Sequence, residues 1–236
     1  MLANGRMYLG HLGPIPLFVH WSALVLVGLA WMWAPNLSQA GVSPVVSILT
    51  LLTVLVVSIV IHEFGHGIVG KWCGASGISI TIWALGGVCT SQRNQRPSRE
   101  LLILAAGPLM NVLLAALCLG IDYGLDRLEP AWLTGQTAIW VSLWLKFGLF
   151  VNIGLAIFNL IPLYPLDGGQ MAFNGLLILT RRVRLSALIT FGLAVMTAIA
   201  WLGWHYFSRG GIDTWTLVIT LLLLHNAWGL VSIARD

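Results

Sequence analysis

Runs of apolar residues, broken by short polar or glycine- and proline-bearing segments, dominate the chain from Leu17 onward. A bilayer core of about 30 Å is crossed by ~20 mostly apolar helical residues. The runs of that order are Leu17 to Ala34, Pro44 to Cys73, Leu101 to Ile121, Ile139 to Leu163, Val183 to Tyr206 and Thr214 to Ile233. The first stops at Pro35-Asn36, and inside the second the ionisable side chains before Lys71 are His62, Glu63 and His66. Two connections depart from the helical pattern. Between Gly74 and Asn94, Ile78, Ile80, Ile82 and Val88 alternate or nearly so around Gly86-Gly87, which predicts short strands forming a hairpin, with a plain re-entrant loop as the other reading. Between Leu163 and Gly169 proline and glycine interrupt the chain. Non-helical backbone at membrane depth persists only where protein or a water-filled cavity surrounds it, so both segments point to an internal site. The expected fold is an α-helical polytopic membrane protein of about six spans with a short membrane-associated β-hairpin or re-entrant segment. It forms one membrane-embedded domain over residues 1–236, without internal repeat or separate soluble domain.

Composition agrees: 58% of residues are hydrophobic and 8% charged, against roughly 25% charged in an ordinary soluble domain. So few charges would not cover a soluble surface. The net charge of +4 is not the footprint of a nucleic-acid partner, because the basic residues follow membrane orientation. With the N-terminus cytoplasmic, Arg6, Lys71, Arg93, Arg96, Arg99, Arg181, Arg182, Arg184 and Arg235 fall inside, and only Arg127 and Arg209 outside. Lys146 is placed to snorkel from the outer end of the fourth run. Both termini are therefore expected in the cytoplasm. Cys73, Cys89 and Cys118 show neither disulfide nor metal spacing. Met1 to Pro16 lack the features of a cleaved signal peptide, so the first run is expected to direct its own insertion.

The chemistry concentrates in His62-Glu63-Phe64-Gly65-His66. Residues four apart share a helical face, so both imidazoles can reach one ion with Glu63 beside them, as in zinc proteases where a glutamate deprotonates water. Each ionisable residue within a membrane costs roughly 2.5–3.5 kcal/mol on insertion scales, which marks such residues as functional by default. A catalytic zinc takes three protein ligands. Asp167, in the run Asn159-Leu160-Ile161-Pro162-Leu163-Tyr164-Pro165-Leu166-Asp167-Gly168-Gly169, either caps the following helix or supplies the third. Its expected depth on the cytoplasmic side, shared with the histidines, favours the ligand. Asn111 and Asn152 read as hydrogen-bonding glue between helices. His205 and His225 fall near outer or lipid-facing regions, away from this cluster.

On these motifs the chain resembles the site-2 protease family of intramembrane zinc metalloproteases. Gly13-Pro14-Ile15-Pro16 with His20 resembles the family's entry segment, and His62 to His66 its HExxH helix. Gly86-Gly87-Val88 resembles its membrane-inserted hairpin, Ala106-Gly107-Pro108-Leu109 its third span, and Asn159 to Gly169 its NxxPxxPLDGG motif. No PDZ domain is inserted, and the six-span form's CBS module is absent from the chain or removed from it. The resemblance implies one Zn²⁺ per chain held by His62, His66 and Asp167, with Glu63 as the catalytic base. It implies cleavage within or near a transmembrane segment of a membrane-protein substrate, with the lipid bilayer as surroundings and no nucleic acid. Asn159 would hold substrate backbone or stabilise the oxyanion, or it satisfies loose backbone groups near the proline break. Gly86 and Gly87 would let substrate backbone approach, and His20 is either a structural histidine or an outer partner of the site. A metal transporter or a catalytically inactive membrane scaffold are the alternatives. The oligomeric state is not legible in the sequence.

Overall fold

A computed structural model describes residues 5–33, 43–84, 86–92, 96–130 and 132–234. Pro35 and Asn36, expected to end the first run, and Arg93, Asn94 and Arg235, used for orientation, lie outside the described residues. The chain divides into two compact units, Met1–Asn94 with Ala106–Ala156, and Gln95–Ala105 with Ile157–Asp236.

The first unit opens with strands β1 (Arg6–Leu12) and β2 (Ile15–His20) and a single 3-10 turn at Trp21–Ala23. Helices α1 (Leu24–Trp33) and α2 (Pro44–Trp72) follow, then strands β3 (Ser76–Trp83) and β4 (Gly86–Gln92). Helices α3 (Pro97–Leu128) and α4 (Gly135–Leu160) supply the rest of this unit and part of the second. The strands form one sheet in the order β1-β2-β3-β4. β1 and β2 pair antiparallel, β2 and β3 parallel with Phe18 opposite Thr81, and β3 and β4 antiparallel with Ile82 opposite Gly87. The alternation read between Gly74 and Asn94 is thus a hairpin, and its inward residues Ile80 and Ile82 are buried. The sheet packs on α2 through β3 and β4. Leu26 of α1, Ile59 of α2 and Ile82 of β3 make a shared core, with Leu52, Val56 and Leu155 against it.

The first apolar run needs correction. Its beginning, Leu17 to His20, is the end of strand β2, and helix α1 starts only at Leu24. An unbroken apolar run does not distinguish a buried strand from a buried helix, and here Leu17, Phe18 and Val19 are held by pairing to β3. Helices α2, α3, α4, α6 (Val183–Arg209) and α7 (Thr214–Ile233) are long and apolar enough to cross a membrane, while α1 is a shorter apolar helix. Leu102, Phe150, Leu179, Met196 and Phe207 stand well exposed on these helices and on α5 (Asp167–Thr180). Such side chains suit a lipid environment, and the chain is an integral membrane protein.

In α2 the buried positions include Ser47, Thr50, Val54, Ser58, His62, His66 and Gly70. Their spacing of three or four residues draws one stripe of small and polar side chains along the helix. In lipid the hydrophobic effect does not drive helices together, so small residues that permit close approach decide the packing. Gly65 is such a point: a Cβ there would lie 2.7 Å from the Ala106 carbonyl oxygen of α3.

In the second unit, α5, α6 and α7 pack in sequence around Leu163, Ala194 and Ala227. The chain between α4 and α5 turns tightly. Leu163 N–H donates to the Ile161 carbonyl at 2.7 Å, Leu166 N–H to Leu163 at 2.9 Å, and Gln170 N–H to Leu166 at 3.0 Å. The turn closes onto two glycines of α5. A Cβ on Gly168 would lie 2.2 Å from the Leu160 carbonyl oxygen, and one on Gly169 would lie 2.3 Å from the Tyr164 nitrogen. Both obstacles are backbone, so a side chain forces the turn itself to move. Gly168→Ala should therefore destabilise the protein by about 2 kcal/mol or more. Gly175→Ala on the same helix, where a Cβ meets nothing within 4 Å, should be neutral or gain up to about 1 kcal/mol from better helix propensity. Thermal unfolding in detergent checks the pair, and equal effects would contradict this reading of the turn.

Candidate active site

His62, Glu63 and His66 lie in the C-terminal half of α2, within little more than one helical turn, and all three are buried. The helix does what the i, i+4 spacing requires: the Nε2 atoms of His62 and His66 stand 3.1 Å apart, with the rings nearly perpendicular at 82°. Two imidazole nitrogens bound tetrahedrally to one zinc at about 2.0–2.1 Å are themselves roughly 3.3 Å apart. The pair therefore fits a zinc ion with little adjustment.

Room for this arrangement comes from α3. A Cβ on Gly107 would lie 2.3 Å from His66 Nε2 and 2.7 Å from His62 Nε2, so any larger residue displaces both candidate ligand atoms. One turn further along the same face, Asn111 is wholly buried and its Oδ1 is 2.6 Å from His62 Nδ1. An amide oxygen only accepts, so in this arrangement His62 donates from Nδ1. Asn111 Nδ2 in turn donates to Asn152 Oδ1 on α4 at 2.7 Å and to the Ser58 carbonyl at 3.3 Å. The reading of Asn111 and Asn152 as interhelical glue is correct as far as it goes, but it missed that the chain of bonds ends on His62. The signal lay in spacing: Gly107 and Asn111, and likewise Gly148 and Asn152, are four apart on α3 and α4.

Glu63 lies against strand β4. A Cβ on Gly87 would be 2.4 Å from Glu63 Cγ and 2.7 Å from Oε1. Only glycine fits there, so Gly87 has a nearer purpose than open space for a ligand: it lets the sheet close on the glutamate. Gly86 adopts φ +127° at the start of the strand, and a Cβ there would meet nothing within 4 Å. β4 is an outer strand of the sheet.

Asp167 and Asn159 belong to the second unit. Asp167 is buried and is the first residue of α5, whose N-cap is Leu166 rather than the aspartate itself. The capping alternative therefore does not hold in its simple form, although a carboxylate in the first turn still favours the helix dipole. Asn159 is half-buried in the last turn of α4. His20 is engaged within its own turn, as the structural alternative expects. Its Nδ1 accepts from Ser22 N–H at 3.2 Å, its ring meets Ser22 Oγ at 2.7 Å, and it stacks beside Trp21, so it caps the 3-10 turn. His205, expected near an outer region, is buried with Nδ1 3.6 Å from Asp213 Oδ2 at the start of α7. Asp213 accepts from Thr216 N–H and Oγ1, bonds that hold its carboxyl below the ordinary range.

Comparison with known proteins bears on the whole arrangement. The profile described as Peptidase family M50 matches residues 50–125 and 131–203, which take in the histidine motif, Gly107, Asn111, Asn152 and Asp167. Rip3 of Mycobacterium tuberculosis, assigned as a zinc metalloprotease, is 33% identical over 171 residues, covering 69% of this chain and 42% of that protein. The Synechocystis protein sll0528, assigned likewise, is 28% identical over 236 residues, covering 95% of this chain and 59% of that protein. The chain thus spans about half the length of these relatives. Among solved structures, the site-2 protease from Methanocaldococcus jannaschii superposes with a TM-score of 0.60 at 22% identity, over 96% of this chain and 95% of that one, which establishes a shared fold. The chain belongs to peptidase family M50, the family of site-2 proteases.

Proposed function

We propose that this protein is an intramembrane zinc metallopeptidase that cleaves peptide bonds within or near transmembrane segments of membrane-protein substrates, with residues 1–236 acting as one domain. The observation that carries the reading is the convergence of His62 and His66 Nε2 to 3.1 Å beside Glu63, buried on an apolar helix. Three ionisable residues so placed have no packing rationale and a large insertion cost. Family membership and the zinc metalloprotease assignment of Rip3 and sll0528 support the same conclusion.

In this reading one zinc ion is held by His62, His66 and Asp167, three protein ligands being the usual complement of a catalytic site. When bound, the ion supplies the Lewis acidity that makes water nucleophilic near neutral pH. Glu63 takes the proton of the attacking water on its carboxylate and returns it to the leaving peptide nitrogen, so the base ends the cycle as it began. Asn159 would hold the substrate backbone or donate to the developing oxyanion. The sequence Leu163 to Gly169, pinned by backbone contacts to Gly168 and Gly169, would fix the carboxyl of Asp167 as a ligand.

A helical peptide bond is shielded by its own turns, so the substrate must unwind, and each backbone group then left unpaired in lipid costs several kcal/mol. The outer strand β4 runs past Glu63 at Gly87 and would pair with the unwound segment as an added strand. The distribution of basic residues supports cytoplasmic termini and release of the product on that side.

Cleavage of a single-span substrate by the purified chain, with and without chelator, tests the reading; activity indifferent to chelation contradicts it. Glu63→Gln should lower turnover by about 10²-fold or more while zinc content stays at wild-type level, and substantial residual cleavage would remove Glu63 from its role. Asp167→Ala should lower zinc occupancy as well as activity; full occupancy on metal analysis would move the third ligand elsewhere. For β4, proline is informative at adjacent positions because successive N–H groups point to opposite sides of a strand. Of Val88→Pro and Cys89→Pro, one loses a bond to β3 and the other spares that pairing. The variant that stays folded should cleave poorly with normal zinc content, and normal cleavage by it would mean that substrate does not pair with β4. Ile82 is unsuitable for the same test, since it lies in the core on the interior strand β3.

A further inference from the structure

Two wholly buried asparagines stand behind His62, and every amide hydrogen they carry is used. Asn152 Nδ2 donates to the Gly148 carbonyl at 2.7 Å and to Ser58 Oγ at 2.9 Å. Asn111 Nδ2 donates to Asn152 Oδ1 at 2.7 Å and to the Ser58 carbonyl at 3.3 Å. Asn111 Oδ1 is left facing His62 Nδ1 at 2.6 Å. A side-chain amide has a donor end and an acceptor end, so such a chain has a direction, and something must set it.

The Gly148 carbonyl sets it, because a backbone carbonyl only accepts. Reversing Asn152 would bring two oxygens together at Gly148 and turn its NH₂ onto the NH₂ of Asn111. Asn111 would then reverse in turn and present NH₂ to His62 Nδ1. The ring would have to accept there and carry its proton on Nε2, the atom that converges with His66. A proton on that atom blocks a metal bond. The neutral ring has one proton and two sites, and the hydrogen bond on one nitrogen decides which is free.

We propose that Asn152, acting through Asn111, sets the tautomer of His62 and is thereby a positioning residue for metal binding at His62 Nε2. The inference rests on the reading of His62 as a zinc ligand but is measured separately from it. Gly148 and Ser58 complete the device: the first orients Asn152, and the second, four residues before His62 on α2, receives one bond from each asparagine. The buried relay thus crosses from α4 to α3 to α2 with no amide donor left over, which matters because an unmet polar group in so dry a place costs more than in water.

The test uses the full chain labelled with ¹⁵N in the histidine rings, before and after zinc loading, with the His62 signals identified by their loss in His62→Gln. In the wild type the His62 ring should carry a proton on Nδ1 before any metal is added. Asn152→Leu removes the acceptor that orients Asn111, and the ring proton should redistribute to Nε2 in a substantial fraction of molecules. The same variant should bind zinc about tenfold more weakly or worse in chelator competition. Asn152→Asp is the rescue. In its acid form the hydroxyl donates to Gly148 and the carbonyl accepts from Asn111, so it should keep the Nδ1 proton and bind zinc within about threefold of wild type. A general packing role would not separate Asp from Leu in the ring-proton signal. If Asn152→Leu does not fold, Asn152→Ala takes its place. Retention of the Nδ1 proton in the leucine or alanine variant, or loss of it in Asn152→Asp to the same extent, overturns the proposal. Zinc binding unchanged in His62→Gln would instead defeat the ligand reading, and the signals recorded without metal would still decide the relay.

Discussion

The structure turns on one constraint: two histidines and a glutamate sit inside an apolar helix, where each must have a polar partner or room for an ion. Three helices answer it with the same four-residue step. On α2 the step is Ser58, His62, His66; on α3 it is Gly107 and Asn111; on α4 it is Gly148 and Asn152. In the α3 and α4 pairs the glycine precedes the asparagine. Gly107 leaves space where the imidazoles converge, and Gly148 offers a carbonyl that orients the last amide. Close approach and polar pairing are therefore one requirement here. In a bilayer they are also what brings helices together, since burying leucine against leucine gains little over leucine against lipid.

The sheet has a matching relation to the glutamate. Gly87 on β4 is where backbone meets the Glu63 carboxyl, so the catalytic base that we propose borders the outer strand of the sheet among the described residues. An unwound substrate has the same needs as an edge strand: N–H and C=O groups seeking partners. Chemistry and substrate capture would then share one stretch of β4. In the second unit, the same use of glycine against backbone at Gly168 and Gly169 fixes the start of α5, where Asp167 stands. Steric exclusion of a Cβ recurs at each of these positions, which explains why the motifs around them are rich in glycine.

The parts legible in the sequence were those with a local signature. The helices α2, α3, α4, α6 and α7 follow from apolar run length, and the β3–β4 hairpin from alternation around Gly86-Gly87. The His62–Glu63–His66 face follows from helical spacing alone. What escaped was set by contacts distant along the chain. Leu17-Phe18-Val19 is as apolar as the helix after it and becomes strand because β1 and β3 pair with it, the latter some sixty residues later. His20 read either as a structural histidine or as an outer partner of the site, and the bonds of its Nδ1 with Ser22, two residues away, favour the first. Asn111 and Asn152 were legible as polar glue, but the direction of their relay depends on which carbonyl faces each amide, and no residue pattern encodes that.

The most direct measurement of the central claim is the zinc X-ray absorption spectrum of the purified, zinc-loaded chain. The account expects four light ligands at about 2.0–2.2 Å, with the multiple-scattering signature of two imidazoles and the remainder oxygen. A sulfur shell at about 2.3 Å, which would implicate Cys73, Cys89 or Cys118, or a spectrum without imidazole scattering, would contradict it.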